Sequence, residues 1–379
     1  MKKKGTPPGC GAKVASGKKV SLLIPYRKNE KWGYTYRKSE KWGYIDTKGN
    51  LAIPTVYDFA YSFSDGLAPV ELHDKWGYID TKGNLKVPLT YYNAYSFSEG
   101  LAAVELSGKW GFIDTKGKMA IPTVYDFAYS FSDGLAPVRL GEKWGFVDAK
   151  GKMAILATYD HVRPFSDEGP APVKLGKKWG FVDTKGKLAI PAIYENAGSF
   201  SDGLAPVKLG EKWGFVDAKG KMAILATYDH ARPFSEGLAR VKRNGRWGLI
   251  DTKGNLAIPA CGYEAGSFND GLACVKRKGK WGYIDTKGKM AIPAIYDEGD
   301  SFLNSLARVK RDGKWGFIDT RGNMVVPPIY DYGSLYSEGV VWVRLKDHEF
   351  ALIDTKGRKY WEDKQSNGLI VYVPVLRGD

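Results

Sequence analysis

The sequence predicts an all-β fold: a tandem array of short three-stranded antiparallel meanders. Three observations carry this. A Trp-Gly pair recurs at Trp42, Trp76, Trp110, Trp144, Trp179, Trp213, Trp247, Trp281 and Trp315, with all steps equal but one, which is a single residue longer. A fixed period of about 34 residues means units that each bury an apolar face against the next. Every period also holds three short runs with strand chemistry and no helical spacing. The third observation is composition: 46 glycines and 13% aromatics suit many tight turns between packed strands. The array is expected to be elongated or superhelical. A closed propeller-like ring is the alternative, but nine or ten units exceed the usual blade number and each unit is short for a four-stranded blade.

The chain divides accordingly. Residues 1–19, rich in Lys, Gly and Pro without periodicity, read as a disordered basic arm. Residues 20–41 read as a capping hairpin. In them a strand from Val20 to Tyr26 precedes Arg27-Lys28-Asn29-Glu30-Lys31-Trp32-Gly33-Tyr34, which is nearly repeated ten residues later. Nine full units occupy 42–349. Residues 350–379 hold a degenerate tenth, with Phe350-Ala351 in place of Trp-Gly, and a closing strand at Leu369 to Val373. Terminal units lack one neighbour, so they are expected to be atypical.

Within a unit the strand signals are Lys-Trp-Gly-Tyr-Ile, Leu-Ala-Ile and Leu-Ala-Pro-Val-Glu-Leu, the last as at Leu67 to Leu72. Asp-Thr-Lys-Gly joins the first two. Asp accepts backbone N–H groups at the start of a turn and Gly takes a left-handed conformation at its end, which predicts a type I turn with a glycine bulge. The spacing lacks the alternating oxygen ligands of a calcium loop. The stretch from Tyr57 to Gly66 reads as a packed loop with room for a short helical turn. The nine tryptophans are expected in the core between units, and the glycine after each is expected to admit a close backbone. An exposed aromatic ladder for sugars or bases is the functional rival.

Two units share a variant, Ile-Leu-Ala-Thr-Tyr-Asp-His-x-Arg-Pro-Phe-Ser, at 155–166 and 224–235. His161 and His230 in it are each alone in their unit, so a loop hydrogen bond is expected of them rather than catalysis or metal binding. Cys10, Cys261 and Cys274 have no paired metal spacing and no disulfide framework. Cys261 and Cys274 read as apolar fillers, with a thiol pair as the alternative. No metal, cofactor or catalytic residue is expected: there is no nucleophile elbow, phosphate loop or histidine cluster.

The repeat Lys-Trp-Gly-Tyr-Ile-Asp-Thr-Lys-Gly-Asn, followed by Phe-Ser-Asp-Gly-Leu-Ala-Pro-Val, resembles the WG (or KWG) β-repeat family of bacterial proteins over roughly residues 31–357. The resemblance implies a repetitive β architecture with a binding or scaffold role and no general enzymatic activity. It names the building block and leaves the partner open.

Charge narrows the search for a partner site. The net charge is +15. Residues 1–41 hold 12 Lys or Arg against 2 acids, while the rest of the chain holds 45 against 40. The array is therefore nearly balanced, and the arm can attract a polyanion or stand as a solvated tail. Most units end the third strand signal in a charged residue and Leu, such as Glu71-Leu72 or Lys208-Leu209. Three consecutive units depart from this rule. They carry Arg240, Lys242, Arg243 and Arg246; Lys276, Arg277, Lys278 and Lys280; and Arg308, Lys310, Arg311 and Lys314. Asn-Gly, Lys-Gly and Asp-Gly beside them suit two-residue hairpins that hold flanking cations opposite one another. Since Pro69 corresponds to Arg240 and Arg308, that position is expected to face solvent. Stacked in register, these hairpins would form a basic ladder for a phosphate backbone or an acidic partner, unless the cations only blunt a strand edge.

The expected function is a non-enzymatic scaffold for a macromolecular partner, a protein first. Nucleic acid or another polyanion is the second reading, and a glycan the third. With no apolar run long enough to span a bilayer and no signal-peptide core, the chain reads as cytoplasmic; an exported chain stripped of its leader would read the same.

Overall fold

The computed structural model describes residues 23–28, 41–46, 51–166, 168–258, 266, 268–335, 340–344, 350–354 and 359–362. The proposed arm at 1–19, the closing strand at 369–373 and Cys261 lie outside them. Ten antiparallel sheets follow one another along the chain, eight with four strands and two with three. Sheet 1 holds β1 (Leu23–Lys28), β2 (Lys41–Asp46) and β3 (Leu51–Tyr57). Sheet 2 holds β4 (Phe59–Ala60), β5 (Leu67–Leu72), β6 (Lys75–Asp80) and β7 (Leu85–Tyr91), paired in chain order. The later sheets follow the same plan: sheet 3 runs over residues 93–125, sheet 4 over 127–159, sheet 5 over 161–194, sheet 6 over 196–228, sheet 7 over 230–258, sheet 8 over 272–296, sheet 9 over 298–330 and sheet 10 over 332–362. Each is open, with two edges, and none closes into a barrel.

The three strand signals of the sequence are the three long strands of most sheets. A two-residue first strand, Phe59–Ala60 in sheet 2, adds a fourth at the edge. It lies where the sequence reads as a packed loop, and two residues are too few to show an alternation. The helical turn allowed for there is absent. Ser64 and Leu67 instead exchange backbone hydrogen bonds of 2.9 and 3.0 Å around Asp65 (φ 50°) and Gly66 (φ 79°), a two-residue hairpin turn. The Asp-Thr-Lys-Gly turn has the expected form. The Asp80 carboxylate accepts the N–H groups of Lys82 and Asn84, both at 2.9 Å, and Gly83 stands at φ 81°.

In the four-stranded sheets the strand carrying Trp-Gly is the third. Each four-stranded sheet therefore draws its first two strands from one sequence repeat and its last two from the next. Its two middle strands are buried on both faces: Ala68, Val70, Tyr78 and Ile79 are inaccessible to solvent. Its fourth strand alternates, with Val87 and Tyr91 inside and Leu85, Pro88 and Thr90 outside, and the edge proline discourages pairing with another chain.

The Trp-Gly pair divides its labour. A Cβ on Gly77 would sit 2.5 Å from the Val87 carbonyl oxygen and 2.9 Å from that of Pro88. The close backbone belongs to the bulged fourth strand of the same sheet, not to the neighbouring unit. Six of the nine tryptophans are buried, and Trp213, Trp247 and Trp281 are half-buried. None forms an exposed ladder. A ring from the short first strand is wedged between consecutive tryptophans: Phe59 lies 5.1 Å from Trp42 and 5.9 Å from Trp76 between ring centroids. Phe127 does the same between Trp110 and Trp144.

His161 and His230 occupy that wedge position, on the first strand of their sheets rather than in a loop. His161 lies 6.0 Å from Trp144 and 5.5 Å from Trp179, and His230 5.6 Å from Trp213 and 5.4 Å from Trp247. They take the place of Phe59 and Phe127 as packing rings.

Two further rows of contacts tie neighbouring sheets. In the first, a serine hydroxyl ahead of the two-residue turn donates in most sheets to a phenylalanine carbonyl one repeat on, Ser64 to Phe97 at 2.7 Å and Ser98 to Phe131 at 2.9 Å. The acid beside it accepts the next turn's N–H, as Asp65 does from Gly100 and Glu99 from Gly134, both at 3.0 Å. In the second row the turn glycine lies against an aliphatic side chain of the preceding sheet, Gly83 on Ile53 and Gly151 on Ile121.

Candidate interaction surface

The hairpins that lead into the Trp-Gly strands lie at one end of the sheets. In sheets 7, 8 and 9 they have the two-residue form the dipeptides predict. Asn244 and Gly245, Lys278 and Gly279, and Asp312 and Gly313 all have positive φ. Across them Arg243 pairs with Arg246, Arg277 with Lys280, and Arg311 with Lys314.

Adjacent hairpins are held in register by a clamp that the sequence reading missed. The acid after the last strand's tyrosine takes a lysine from its own sheet and a backbone N–H from the next hairpin. Asp297 accepts from Lys280 Nζ at 2.5 Å and from the N–H of Gly313 at 3.4 Å, linking sheets 8 and 9. Asp229 links Lys212 of sheet 6 to Gly245 of sheet 7, at 2.5 and 3.2 Å. Asp126 and Asp160 do likewise further up the array. The hydrogen bond from lysine, then the backbone N–H, holds the carboxyls of Asp126, Asp160, Asp229 and Asp297 below the ordinary carboxylate range. The signal was available: the lysine before Trp and the acid that closes on it, as in Lys109 with Asp126 and Lys280 with Asp297, recur together at one fixed spacing in most repeats.

The clamp sorts the twelve candidate cations. Lys280 and Lys314 are its lysine arms, the latter bonded to Asp331. Lys310 pairs with Glu298 at 2.8 Å. Arg308 donates to Asp300 Oδ2 at 2.6 Å and to the Gly333 carbonyl, with its guanidinium 4.2 Å from the Trp315 ring. Arg240 lies 4.3 Å over Trp247. Lys242 leans on the same Trp247 ring at 5.9 Å, and Lys276 on Trp281 at 5.8 Å. The expectation that the Arg240 and Arg308 position faces solvent is therefore corrected. Its counterparts Pro69 and Ala103 are buried, and an arginine fits only by laying its guanidinium on the indole. Arg243, Arg246, Arg277, Lys278 and Arg311 remain exposed at the tips.

The same end is different in the early sheets. The hairpin of sheet 2 carries Glu71 and Asp74 against Lys75, and that of sheet 3 carries Glu105 against Lys109. In sheets 4 to 6, exposed Leu140, Leu175 and Leu209 stand where sheets 7 to 9 have arginine. Basic character thus gathers toward the C-terminal sheets.

Among the described residues no cluster of His, Cys, Asp and Glu offers a metal site, and no helix is long and apolar enough to cross a membrane. Cys274 is buried beside Ser301 and burial pushes its thiol up.

No curated protein matches the chain. Among solved structures it is similar to a crystal structure of the eukaryotic initiation factor, at TM-score 0.53 and 11% identity over 92% of this chain and 97% of that one. It also matches the computationally designed Ika8 protein, at TM-score 0.34 and 11% identity over 77% and 94%. Hsv2 of Kluyvelomyces marxianus matches at TM-score 0.34 and 9% identity over 70% and 96%. At such identities the likeness is one of fold, and only the first supports it. The description "WG containing repeat" matches nine times in succession, from residues 42–76 to 315–347. With those matches laid end to end over most of its length, the chain belongs to the WG-repeat family.

Proposed function

We propose that the chain is a non-catalytic scaffold that presents one long, regular surface to a macromolecular partner, a protein foremost. The observation that carries this is the continuity of the contacts between sheets. Serine hydroxyls and acidic caps recur in most repeats, so loops of successive sheets are set in rows by the same bonds. Fixed rows of loops give a partner many equivalent footholds, and affinity then grows with the number engaged. Six of the nine repeat tryptophans are buried, which takes those six rings away from a glycan site, since a ring must be exposed to stack on a sugar.

The test is co-purification from the native host by the intact chain and by arrays shortened one whole repeat at a time. A partner whose retention falls with each step supports the reading. Retention that ignores the number of sheets, or turnover of a substrate by the purified chain, overturns it.

A further inference from the structure

We infer that the hairpin tips of sheets 7, 8 and 9 form a docking track for the phosphate backbone of nucleic acid, contacted by Arg243, Arg246, Arg277, Lys278 and Arg311. The track needs the array only as a support that holds the sheets in register. Its partner is a separate matter from the protein partner proposed above.

Four observations support it. First, the five cations are exposed, and among the described residues the sole ion pair any of them makes is a loose 3.8 Å approach of Arg311 to the almost fully exposed Asp312. Their neighbours Arg308, Lys310, Lys280 and Lys314 are consumed by acids, so the structure separates cations that build the array from cations that it leaves over. Second, Asp297 holds the hairpins of sheets 8 and 9 together, so those tips form a row rather than scattered charges.

Third, Arg243 and Arg246 face each other across one hairpin. Like charges opposed on neighbouring strands cost stability. The corresponding pairs in sheets 4 and 6, Leu140 with Lys143 and Leu209 with Lys212, avoid that cost. A bound anion would reverse its sign. Fourth, Arg243, Arg277 and Arg311 each replace a leucine that is 38 to 43% exposed in sheets 4 to 6. The exchange strips the tips of the apolar area that the core of a protein interface uses. It also supplies forked guanidinium groups suited to phosphate oxygens. No aromatic ring stands at these tips among the described residues, so bases have nothing to stack on and recognition falls on the backbone, independent of sequence.

The experiment follows binding of a labelled mixed-sequence DNA duplex to the full chain by fluorescence anisotropy as salt rises from 50 to 200 mM. Five phosphate contacts predict a loss of affinity of roughly 500-fold across that range. In the variant R243L/R277L/R311L two contacts remain, and the same step costs only about tenfold. Leucine is the array's own residue at these positions, so this variant is expected to fold, and circular dichroism checks it. The N-terminal arm is present in both proteins and cancels from the comparison. A control, K82Q/K116Q/K150Q, removes exposed cations from turns at the opposite end of the sheets and is expected to bind as the parent does. Equal affinity and salt slope in the leucine variant overturn the track, as does an equal loss in the control or an absence of binding at the lowest salt. None of these outcomes touches the scaffold reading, which is tested by sheet number.

Discussion

Lys75 Nζ lies 3.3 Å from the centroid of the Tyr92 ring, at the position where other sheets place a lysine–carboxylate pair. Tyr92 stands in the clamp acid's place, and the ring face substitutes for the charge. The stabilising role of the position is to hold a cation, whichever group does it. We therefore expect Tyr92→Ala to cost about 0.5–1 kcal/mol and Tyr92→Asp to cost less, since aspartate restores the pairing seen at Asp58 and Asp126. Chemical denaturation of the two variants compares them directly; a larger loss for the aspartate would refute the equivalence.

The second prediction concerns Gly77. Alanine there would press its Cβ into the fourth strand, 2.5 Å from a carbonyl oxygen. No flexible side chain can yield, so the strand itself must shift. We expect Gly77→Ala to destabilise by about 2–4 kcal/mol, with amide exchange accelerated chiefly in residues 75–91 and their neighbouring sheets. Gly100→Ala is the contrast. It meets nothing within 4 Å, and its cost comes only from its positive φ.

Acid should loosen the array in two stages. Burial, then the nearby arginines, pushes the imidazoles of His161 and His230 below their ordinary value. The folded chain thus holds fewer protons on them than the unfolded chain. Stability is full above the unfolded pKa, about 6.5, and is lost as pH falls through it toward the folded value. The double variant His161→Phe, His230→Phe restores the wedge of Phe59 and Phe127 and should flatten the melting temperature between pH 7 and 5. A slope unchanged by the double variant would assign that dependence elsewhere.

The clamp acids govern the lower stage. Their folded pKa values lie below the unfolded ones, so their contribution is present above about pH 4 and disappears as pH falls through the depressed values. Asp229→Asn with Asp297→Asn should bring the acid transition of the C-terminal sheets to higher pH. It should also detach the hairpins of sheets 7 and 9 from their neighbours, which hydrogen exchange at Gly245 and Gly313 would report.

Much of this was legible in the residues. The period, the three long strands and the Asp-Thr-Lys-Gly turn follow from local chemistry, since each is set by residues within a few positions of one another. What stayed hidden depends on partners a repeat away. The two-residue first strand has no pattern of its own and exists because its sheet and the wedge ring place it there. Arg240 and Arg308 looked solvent-facing because a charge was assumed to need water. The indole beneath them supplies an alternative that only the hairpin register reveals. His161 and His230 looked like loop residues until the position aligned them with Phe59 and Phe127. At the candidate track, the sequence marked the departure from the rule, and the geometry distinguished the engaged cations from the exposed ones.

The offset between repeat and sheet sets where the protein can be cut. A chain ended at a Trp-Gly boundary, such as residue 246, keeps the first two strands of sheet 7 and loses the two that cover them, leaving the flank of Leu238 to Arg243 open to self-association. A chain ended near residue 229 closes on a finished sheet. The unit that can be copied, deleted or transplanted is thus the stretch from one tyrosine–acid corner to the next, and a library built on the tryptophans would sever every joint it meant to preserve.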